Sequence, residues 1–163
     1  MTTTTDTNTA QPADHVVPPV RLDVDTLAPK ASKALNTLEA AVRHSDVDPV
    51  LSNLIRLRAS QLNGCAYCVD MHSADAIKGG DTQQRVNAVA VWRETPFFTA
   101  RERAALALTE AGTRLTDGAV SDEVFNEAAG HFNETELAGL IWDIAVINTW
   151  NRLGAIARPW PLA

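Results

Sequence analysis

Residues 61–72, QLNGCAYCVDMH, contain both cysteines of the chain, three positions apart, with a histidine four positions further on. On an α-helix, residues three and four positions apart share a face, so Cys65, Cys68 and His72 are predicted to line up. The cysteine Cα atoms would then lie about 5 to 6 Å apart, a spacing that a disulfide tolerates. The pattern therefore predicts a dithiol that can open and close, with an imidazole beside it.

The local sequence also predicts where on a helix these groups lie. Asn63-Gly64 is a typical helix end, so both cysteines would fall in the first turn of the next helix, where unpaired N–H groups favour a thiolate. His72 would lie one turn from Cys68 and two turns from Cys65. This asymmetry favours Cys68 as the attacking thiolate and Cys65 as the resolving partner. In other C-x-x-C helices, however, the first cysteine is the more exposed and reactive one.

Three simpler interpretations of these residues stay open. Two cysteines at helical spacing can pack in a core as small apolar side chains, and a lone helix histidine can be structural. Cys65, Cys68 and His72 could also hold zinc with a fourth ligand from elsewhere. A second ligand pair is missing from the sequence, so we predict no metal site and no cofactor. Arg56 and Arg58, which precede the motif, could face an anionic substrate or a neighbouring subunit, but a solvated face is favoured.

The composition of the whole chain indicates one domain. Its 163 residues, 45% of them hydrophobic, suffice for a single core. Residues 1–20, rich in Thr, Asp and Pro, are predicted to form a disordered tail, which leaves residues 21–163 as the domain. Neither a signal peptide nor an apolar run of about 18 residues is found, so we expect no membrane association and a cytoplasmic location. The formal charge of −6, without a basic cluster, argues against nucleic acid as a partner.

The remaining patterns predict an all-α fold. Helical start and stop signals repeat from about residue 26, and no window alternates apolar and polar residues long enough for a strand. About seven helices are expected, with start signals at Asp48-Pro49, Asp81 with Gln84, Thr99 with Glu102, Ser121, and Asn133 with Glu136. The apolar faces are expected to bury Leu27, Leu38 and Val42 in the first helix, Val86, Val89 and Trp92 in the fourth, and Val124, Phe125 and Ala128 in the sixth. Several faces are wide, which predicts that another copy of the chain covers part of them.

Three segments, in this order, are similar to one known family. They are LIRLRASQLNGCAYCVDMHSADAIKGG at 54–80, AVWRETPFFTARERAALALTEAGTRL at 90–115, and INTWNRLGAIAR at 147–158. The chain resembles the AhpD-like alkylhydroperoxidase branch of the carboxymuconolactone decarboxylase superfamily. Members of the decarboxylase branch generally lack the cysteine pair, so its presence here argues against lactone decarboxylation.

The resemblance implies an all-helical, homo-oligomeric protein that reduces small organic hydroperoxides with a dithiol. It implies that Cys68 attacks the peroxide, that Cys65 resolves the product and that His72 belongs to a proton relay. These are the roles that the helical spacing also favours. A dithiol or a protein thiol would then reduce the pair again.

One position departs from the pattern of the family. The resemblance implies a glutamate twelve residues before the first cysteine, as the outer member of the relay, and this chain has Asn53 there. An amide can orient an imidazole but cannot accept its proton, so weak peroxidase activity is one expectation. Glu110 is a candidate to replace the missing acid. The alternatives to a peroxidase are a general disulfide oxidoreductase or redox sensor, and a non-enzymatic oligomer that is structural or holds zinc.

Overall fold

The computed structural model describes residue 16 and residues 18–162 of the chain. This part consists of eight α-helices and two short 3₁₀ segments and contains no β-strand, which confirms the predicted all-α class. The α-helices are α1 (Val24–Leu27), α2 (Pro29–Arg43), α3 (Pro49–Asn63), α4 (Ala66–Lys78), α5 (Gln83–Ala88), α6 (Ala100–Thr113), α7 (Asp122–Ala129) and α8 (Glu134–Ala157). The 3₁₀ segments are Val89–Glu94 and Leu115–Asp117.

Helix α3, which leads into the cysteines, begins and ends where the sequence predicts. The side chain of Asp48 accepts hydrogen bonds from the backbone N–H groups of Val50 and Leu51, at 2.9 and 3.1 Å, and Pro49 fills the first helical position. Gly64 ends the helix in the left-handed conformation, with φ at 66°. A residue with a Cβ avoids this conformation, so the glycine sets the sharp turn into α4.

Capping side chains also set the starts of the later helices. Reciprocal capping boxes begin α6 and α8, as the sequence predicts, and they consist of Thr99 with Glu102 and of Asn133 with Glu136. The start of α5 was predicted wrongly. Thr82 caps this helix by accepting from the N–H of Arg85 at 3.2 Å, because the carboxylate of Asp81 is engaged by the Arg85 side chain at 2.7 Å.

Helix α3 is the centre of the fold, since it packs against α4, α6 and α8. Two apolar clusters surround it. The first contains Val47, Leu51, Ile55, Ala105, Leu108, Ala128, Phe132, Leu137, Leu140 and Ile144. The second contains Leu54, Leu57, Ala76, Val86, Ala88, Val89, Trp92, Phe98 and Leu106. The predicted burial of Val86, Val89 and Trp92 is thereby confirmed, and α3 holds α4 and α8 in fixed positions around the cysteine pair.

Several predicted core side chains lie on the surface of the chain. Leu27, Leu38 and Phe125 are exposed by 67, 37 and 41%, so the prediction that they are buried is wrong. Leu38 and Phe125 lie on the outward sides of α2 and α7, because α2 packs mainly against α8 and α7 mainly against α6. Leu27 belongs to the short α1, which packs mainly against α2 and not against the core helix α3. Helix α8 likewise presents Ile141 and Trp142, which are exposed by 45 and 56%.

The tail predicted for residues 1–20 lies mostly outside the described residues, as does residue 163. The first described stretch, 18–23, is not helical, and the backbone N–H groups of Arg21 and Leu22 both donate to the carbonyl of Ala157, at 3.0 and 3.1 Å. The two ends of the described chain are therefore tied together. Among the helices described, none combines the length and the apolar character that a membrane crossing requires.

Candidate active site

The two cysteines lie at the start of α4, as their spacing predicts. Cys65 is the N-cap residue and Cys68 lies in the first turn, with Cα atoms 5.3 Å apart and the two sulfurs joined in a disulfide. The backbone N–H of Cys68 donates to Sγ of Cys65 at 3.4 Å. A thiolate formed on reduction would be stabilised by such N–H groups. Within the described ranges, no three His, Cys, Asp or Glu side chains are grouped as ligands for a metal ion.

A cavity of about 280 Å³ lies beside the disulfide. It is lined by Asp25, Asn36, Glu39, Arg43, Arg56, Tyr67, Cys68, Met71, His72, Ile147, Trp150 and Trp160. Cys65 is not among the lining residues, and Cys65 and Cys68 are only 1 and 2% exposed. The cavity therefore brings a reactant to Cys68, with His72 in the same wall.

His72 is fully buried, and neither ring nitrogen has a hydrogen-bond partner among the described residues. The pKa of His72 is lowered from 6.5 to about 3, mainly because burial disfavours the charged ring. The positive charges of Arg56 and Arg43 also lower this pKa, whereas the negative charge of Glu39 opposes them. At neutral pH the ring beside the disulfide is neutral, so one of its nitrogens is free to accept a proton.

Arg56 does not lie on a solvated face, and the prediction for this residue is wrong. Its buried guanidinium forms ion pairs with Glu39 of α2 at 2.7 Å and with Asp143 of α8 at 2.6 Å. Ser52 donates to the other oxygen of Asp143 at 2.6 Å. Burial raises the pKa of Asp143, against the opposing charge of Arg56. An isolated buried charge is costly, and these two carboxylates from distant parts of the chain compensate it.

Glu39 brings a carboxylate to the cavity, and three donors hold it in place. Arg43 and Arg56 donate to one oxygen at 2.6 and 2.7 Å, and the indole of Trp150 donates to the other at 3.1 Å. Burial raises the pKa of Glu39, but the arginines outweigh burial and the pKa lies below its usual value. Glu39 is therefore an anion in the same cavity as His72. Nothing in the amphipathic pattern of α2 distinguishes it from a surface acid.

Asn53 and Glu110 do not line the cavity. The amide nitrogen of Asn53 lies 3.6 Å from the point where a Cβ of residue 79 would stand, at the far end of α4. Glu110 is bound by Arg58 at 2.6 Å and by Arg93. Arg58 is thus largely buried, and the prediction that it lies on a solvated face is wrong. The hypothesis that Glu110 replaces the missing acid is wrong, because its carboxylate is engaged elsewhere.

Gly154 of α8 packs directly against the disulfide. A Cβ at this position would stand 2.6 Å from Sγ of Cys65 and 3.6 Å from Sγ of Cys68. A glycine inside a helix costs roughly 0.5–1 kcal/mol relative to alanine, so its presence here needs a reason. That reason is the close approach of α8 to the sulfurs. A glycine within an otherwise continuous helical pattern is the signal that could have identified this position.

Buried amides hold α8 in register with the α3–α4 turn. The side chain of Asn63 donates to Asn148 at 3.0 Å and to Asn151 at 2.9 Å, and Asn151 donates to Ser60 at 3.0 Å. Buried polar groups that satisfy one another in this way fix a single arrangement. The network therefore keeps Gly154 against the cysteines.

Comparisons with known proteins connect this chain to one family. The sequence model of the carboxymuconolactone decarboxylase family matches residues 29–111. The uncharacterized protein YdfG of Bacillus subtilis is 36% identical over 133 residues, which are 82% of this chain and 90% of YdfG. The uncharacterized protein YnjA of Escherichia coli is 35% identical over 102 residues, 61% of this chain and 56% of YnjA.

Solved structures share the fold over most of the chain. ATU0492 of Agrobacterium tumefaciens, a protein of unknown function proposed to be the antioxidant defence protein AhpD, superimposes with a TM-score of 0.85 and 37% identity. The match covers 87% of this chain and 97% of ATU0492. The debrominase Bmp8 without ligand superimposes with a TM-score of 0.73 and 25% identity, over 82% of this chain and 72% of Bmp8.

Proposed function

Because this chain belongs to the carboxymuconolactone decarboxylase family, in its AhpD-like branch, we propose that it is a thiol-dependent peroxidase acting on small organic hydroperoxides. The observation that supports the proposal most is that Cys68 and His72 line one cavity, with the sulfur of Cys65 bonded behind that of Cys68. The rest of the cavity wall includes Ile147 and Trp150. Such side chains suit the organic group of a hydroperoxide.

The proposed cycle begins with both cysteines reduced. His72 takes the proton of the Cys68 thiol, and the free N–H groups at the start of α4 stabilise the thiolate. The thiolate attacks the distal oxygen of the hydroperoxide, an S–O bond forms and the O–O bond breaks. The leaving alkoxide takes the proton from His72 and departs as an alcohol. The sulfur is thereby oxidised to a sulfenic acid and the peroxide is reduced.

Cys65 completes the oxidative half of the cycle. Its thiol loses a proton and attacks the sulfur of Cys68, the S–O bond breaks, and the hydroxide takes up a proton and leaves as water. The product is the disulfide of the structure. A dithiol or a protein thiol then returns two electrons by thiol–disulfide exchange.

The protonation state of His72 fits the first step. Its pKa of about 3 belongs to the disulfide form, in which no anionic sulfur lies beside it. A thiolate at Cys68 would favour the imidazolium and raise this pKa. The ring is therefore neutral before the step and becomes a better base as the thiolate forms.

Homo-oligomeric assembly and a cytoplasmic location are part of the proposal. The exposed Ile141 and Trp142 of α8 support assembly, because large apolar side chains on a surface are typically covered by a partner. The need for a thiol reductant in each cycle supports the cytoplasm, where thiols are kept reduced.

A second candidate is a general disulfide oxidoreductase or redox sensor with weak peroxidase activity. It is favoured by the absence, among the described residues, of any carboxylate hydrogen-bonded to His72. General acid or base assistance contributes about 10² to 10⁴ in rate, so an incomplete relay would slow peroxide turnover without preventing thiol exchange.

A single-turnover reaction separates the two candidates. The reduced full chain is mixed with one equivalent of cumene hydroperoxide without oxygen, and thiols and alcohol are measured over time. A peroxidase loses two thiols per chain and forms one equivalent of alcohol, far faster than dithiothreitol alone reacts. His72→Ala should slow the reaction about 10²-fold, whereas His131→Ala, on the surface near Glu127, should not. A rate no greater than that of dithiothreitol would contradict the peroxidase and support the second candidate.

A further inference from the structure

The chain turns back over the cysteine cavity after α8. Arg158 ends the helix in the left-handed conformation, with φ at 45°, although it is not a glycine. Residues 158–162, here called the C-terminal flap, then run as a short non-helical segment with prolines on both sides of Trp160. The turn places Trp160 in the wall of the cavity that contains Cys68.

The indole of Trp160 lies in the cavity wall close to the disulfide, among other aromatic side chains. Its ring lies 5.2 Å from that of Tyr67 and 5.7 Å from that of Trp150, measured between centroids. Its Cζ3 atom lies 3.3 Å from the point where a Cβ of Gly154 would stand, next to the sulfurs. In this arrangement Cys65 and Cys68 are only 1 and 2% exposed.

One side-chain hydrogen bond holds the flap closed. The indole N–H of Trp160 donates to a carboxylate oxygen of Asp25 at 2.9 Å, and Ser32 donates to the other oxygen at 2.8 Å. In the described part of the chain, the only other hydrogen bond from the flap is that of its first residue, Arg158, to the carbonyl of Gly154. Apart from these two hydrogen bonds, the flap is held by the ring contacts of Trp160 with Tyr67 and Trp150. A short terminal segment of this kind can open without global unfolding.

The reductive half of the cycle requires access that the closed flap restricts. A thiolate of the reductant must first attack the sulfur of Cys68, which forms a mixed disulfide and displaces Cys65 as a thiolate. The second thiol of the reductant then attacks the mixed disulfide, which releases Cys68 and leaves the reductant with its own disulfide. A small dithiol fits a cavity of about 280 Å³. A cysteine on the surface of a folded protein cannot reach Cys68, which is only 2% exposed and lines the same cavity as Trp160.

We propose that Trp160 is a gate that admits small thiols in its closed position and must leave Asp25 before a protein dithiol can reduce the Cys65–Cys68 disulfide. The proposal rests on the dithiol–disulfide cycle proposed above. In this proposal, the position of the C-terminal flap determines which reductants reach the disulfide.

The test measures reduction of a disulfide formed beforehand with diamide, so it uses no peroxide and its outcome is independent of peroxidase activity. Second-order rate constants are measured for dithiothreitol and for reduced thioredoxin as the protein dithiol. Trp160→Ala removes the gate, and Asp25→Ala removes its hydrogen bond while keeping the indole. Phe125→Ala, a change to an exposed aromatic residue of α7, is the control.

Both gate variants should be reduced by thioredoxin at least ten times faster than the wild type. Their rate constants with dithiothreitol should change less than threefold, and Phe125→Ala should match the wild type with both reductants. Unchanged thioredoxin rates in both gate variants would overturn the proposal. Equal acceleration by both reductants would also overturn it, since that result indicates general loosening of the site.

Discussion

Glu39 and Glu110 are bound in the same way but lie in different surroundings. Each accepts hydrogen bonds from two arginines and one indole, which are Arg43, Arg56 and Trp150 for Glu39 and Arg58, Arg93 and Trp92 for Glu110. Only Glu39 lines the cavity of Cys68 and His72. Comparing substitutions of these two glutamates therefore separates the electrostatic effect on Cys68 from the general effect of breaking a partly buried ion pair.

Glu39→Gln should make the Cys68 thiolate easier to form. The substitution removes a negative charge and leaves Arg56 and Arg43 less neutralised, and positive charge favours a thiolate. In the Cys65→Ser background, the midpoint of the pH dependence of iodoacetamide alkylation should move to lower pH. Glu110→Gln should leave this midpoint unchanged, while both variants lose roughly 1–3 kcal/mol of stability. A midpoint for Glu39→Gln at or above that of its parent would contradict the assigned role.

The sequence identified only those site residues whose relative positions are set within a single helix. The positions of Cys65, Cys68 and His72 relative to one another follow from helix geometry, which the spacing alone fixes. The contacts of Glu39 with Arg56 join α2 to α3 and depend on tertiary packing. A buried arginine and a solvated one look alike in a single sequence, so the ion-pair network around the site could not be predicted.

At the scale of the elements, the close approach of α8 to the start of α4 depends on Gly154. Gly154→Ala should destabilise the disulfide form more than the dithiol form, because the added Cβ stands 2.6 Å from Sγ of Cys65 and a free thiol can rotate away. We expect the midpoint potential of the pair to rise by about 30 mV, equivalent to about 1.4 kcal/mol.

Gly112→Ala is the matched control for this change. Its added Cβ would meet the Cγ2 atom of Ile144 at 3.2 Å, inside a helix and away from the cysteines. Equilibration with glutathione or dithiothreitol buffers measures both potentials. If the two substitutions shift the potential equally, or if Gly154→Ala leaves it unchanged, the packing of α8 does not influence the disulfide.

Helix boundaries were predictable where a capping side chain acts on its own turn. Asp48 and the two capping boxes meet this condition, and α3, α6 and α8 begin where expected. The start of α5 was missed by one residue because Arg85 engages Asp81, and the same arginine also reaches Glu102 of α6. A side-chain ion pair thus overrides a local capping signal.

At the scale of the whole molecule, the buried neutral His72 makes stability depend on pH. The pKa of His72 is about 6.5 in the unfolded chain and about 3 in the folded disulfide form, so the folded chain binds this proton only below about pH 3. Between these values the unfolded state binds more protons, so the free energy of unfolding falls as the pH falls. From pH 7 to pH 5 the loss from this one group is about 2 kcal/mol.

Urea unfolding of the disulfide form at pH 7 and pH 5 measures this loss. His72→Gln should remove most of it, since glutamine does not titrate. His44→Gln, which changes an exposed histidine at the end of α2, should retain the loss seen in the wild type. An equal loss in the wild type and in His72→Gln would show that other groups cause the pH dependence. The carboxylates with a lowered pKa, such as Glu102, contribute only at more acidic pH.

The central claim is that the sulfur of Cys68 takes an oxygen atom from an organic hydroperoxide. Its most direct test is intact mass spectrometry of reduced Cys65→Ser and Cys68→Ser after one equivalent of cumene hydroperoxide, with dimedone present to trap a sulfenic acid. Cys65→Ser should gain one dimedone adduct per chain, and Cys68→Ser should remain unmodified. An adduct on Cys68→Ser, or consumption of the peroxide by Cys68→Ser as fast as by the wild type, would contradict the account.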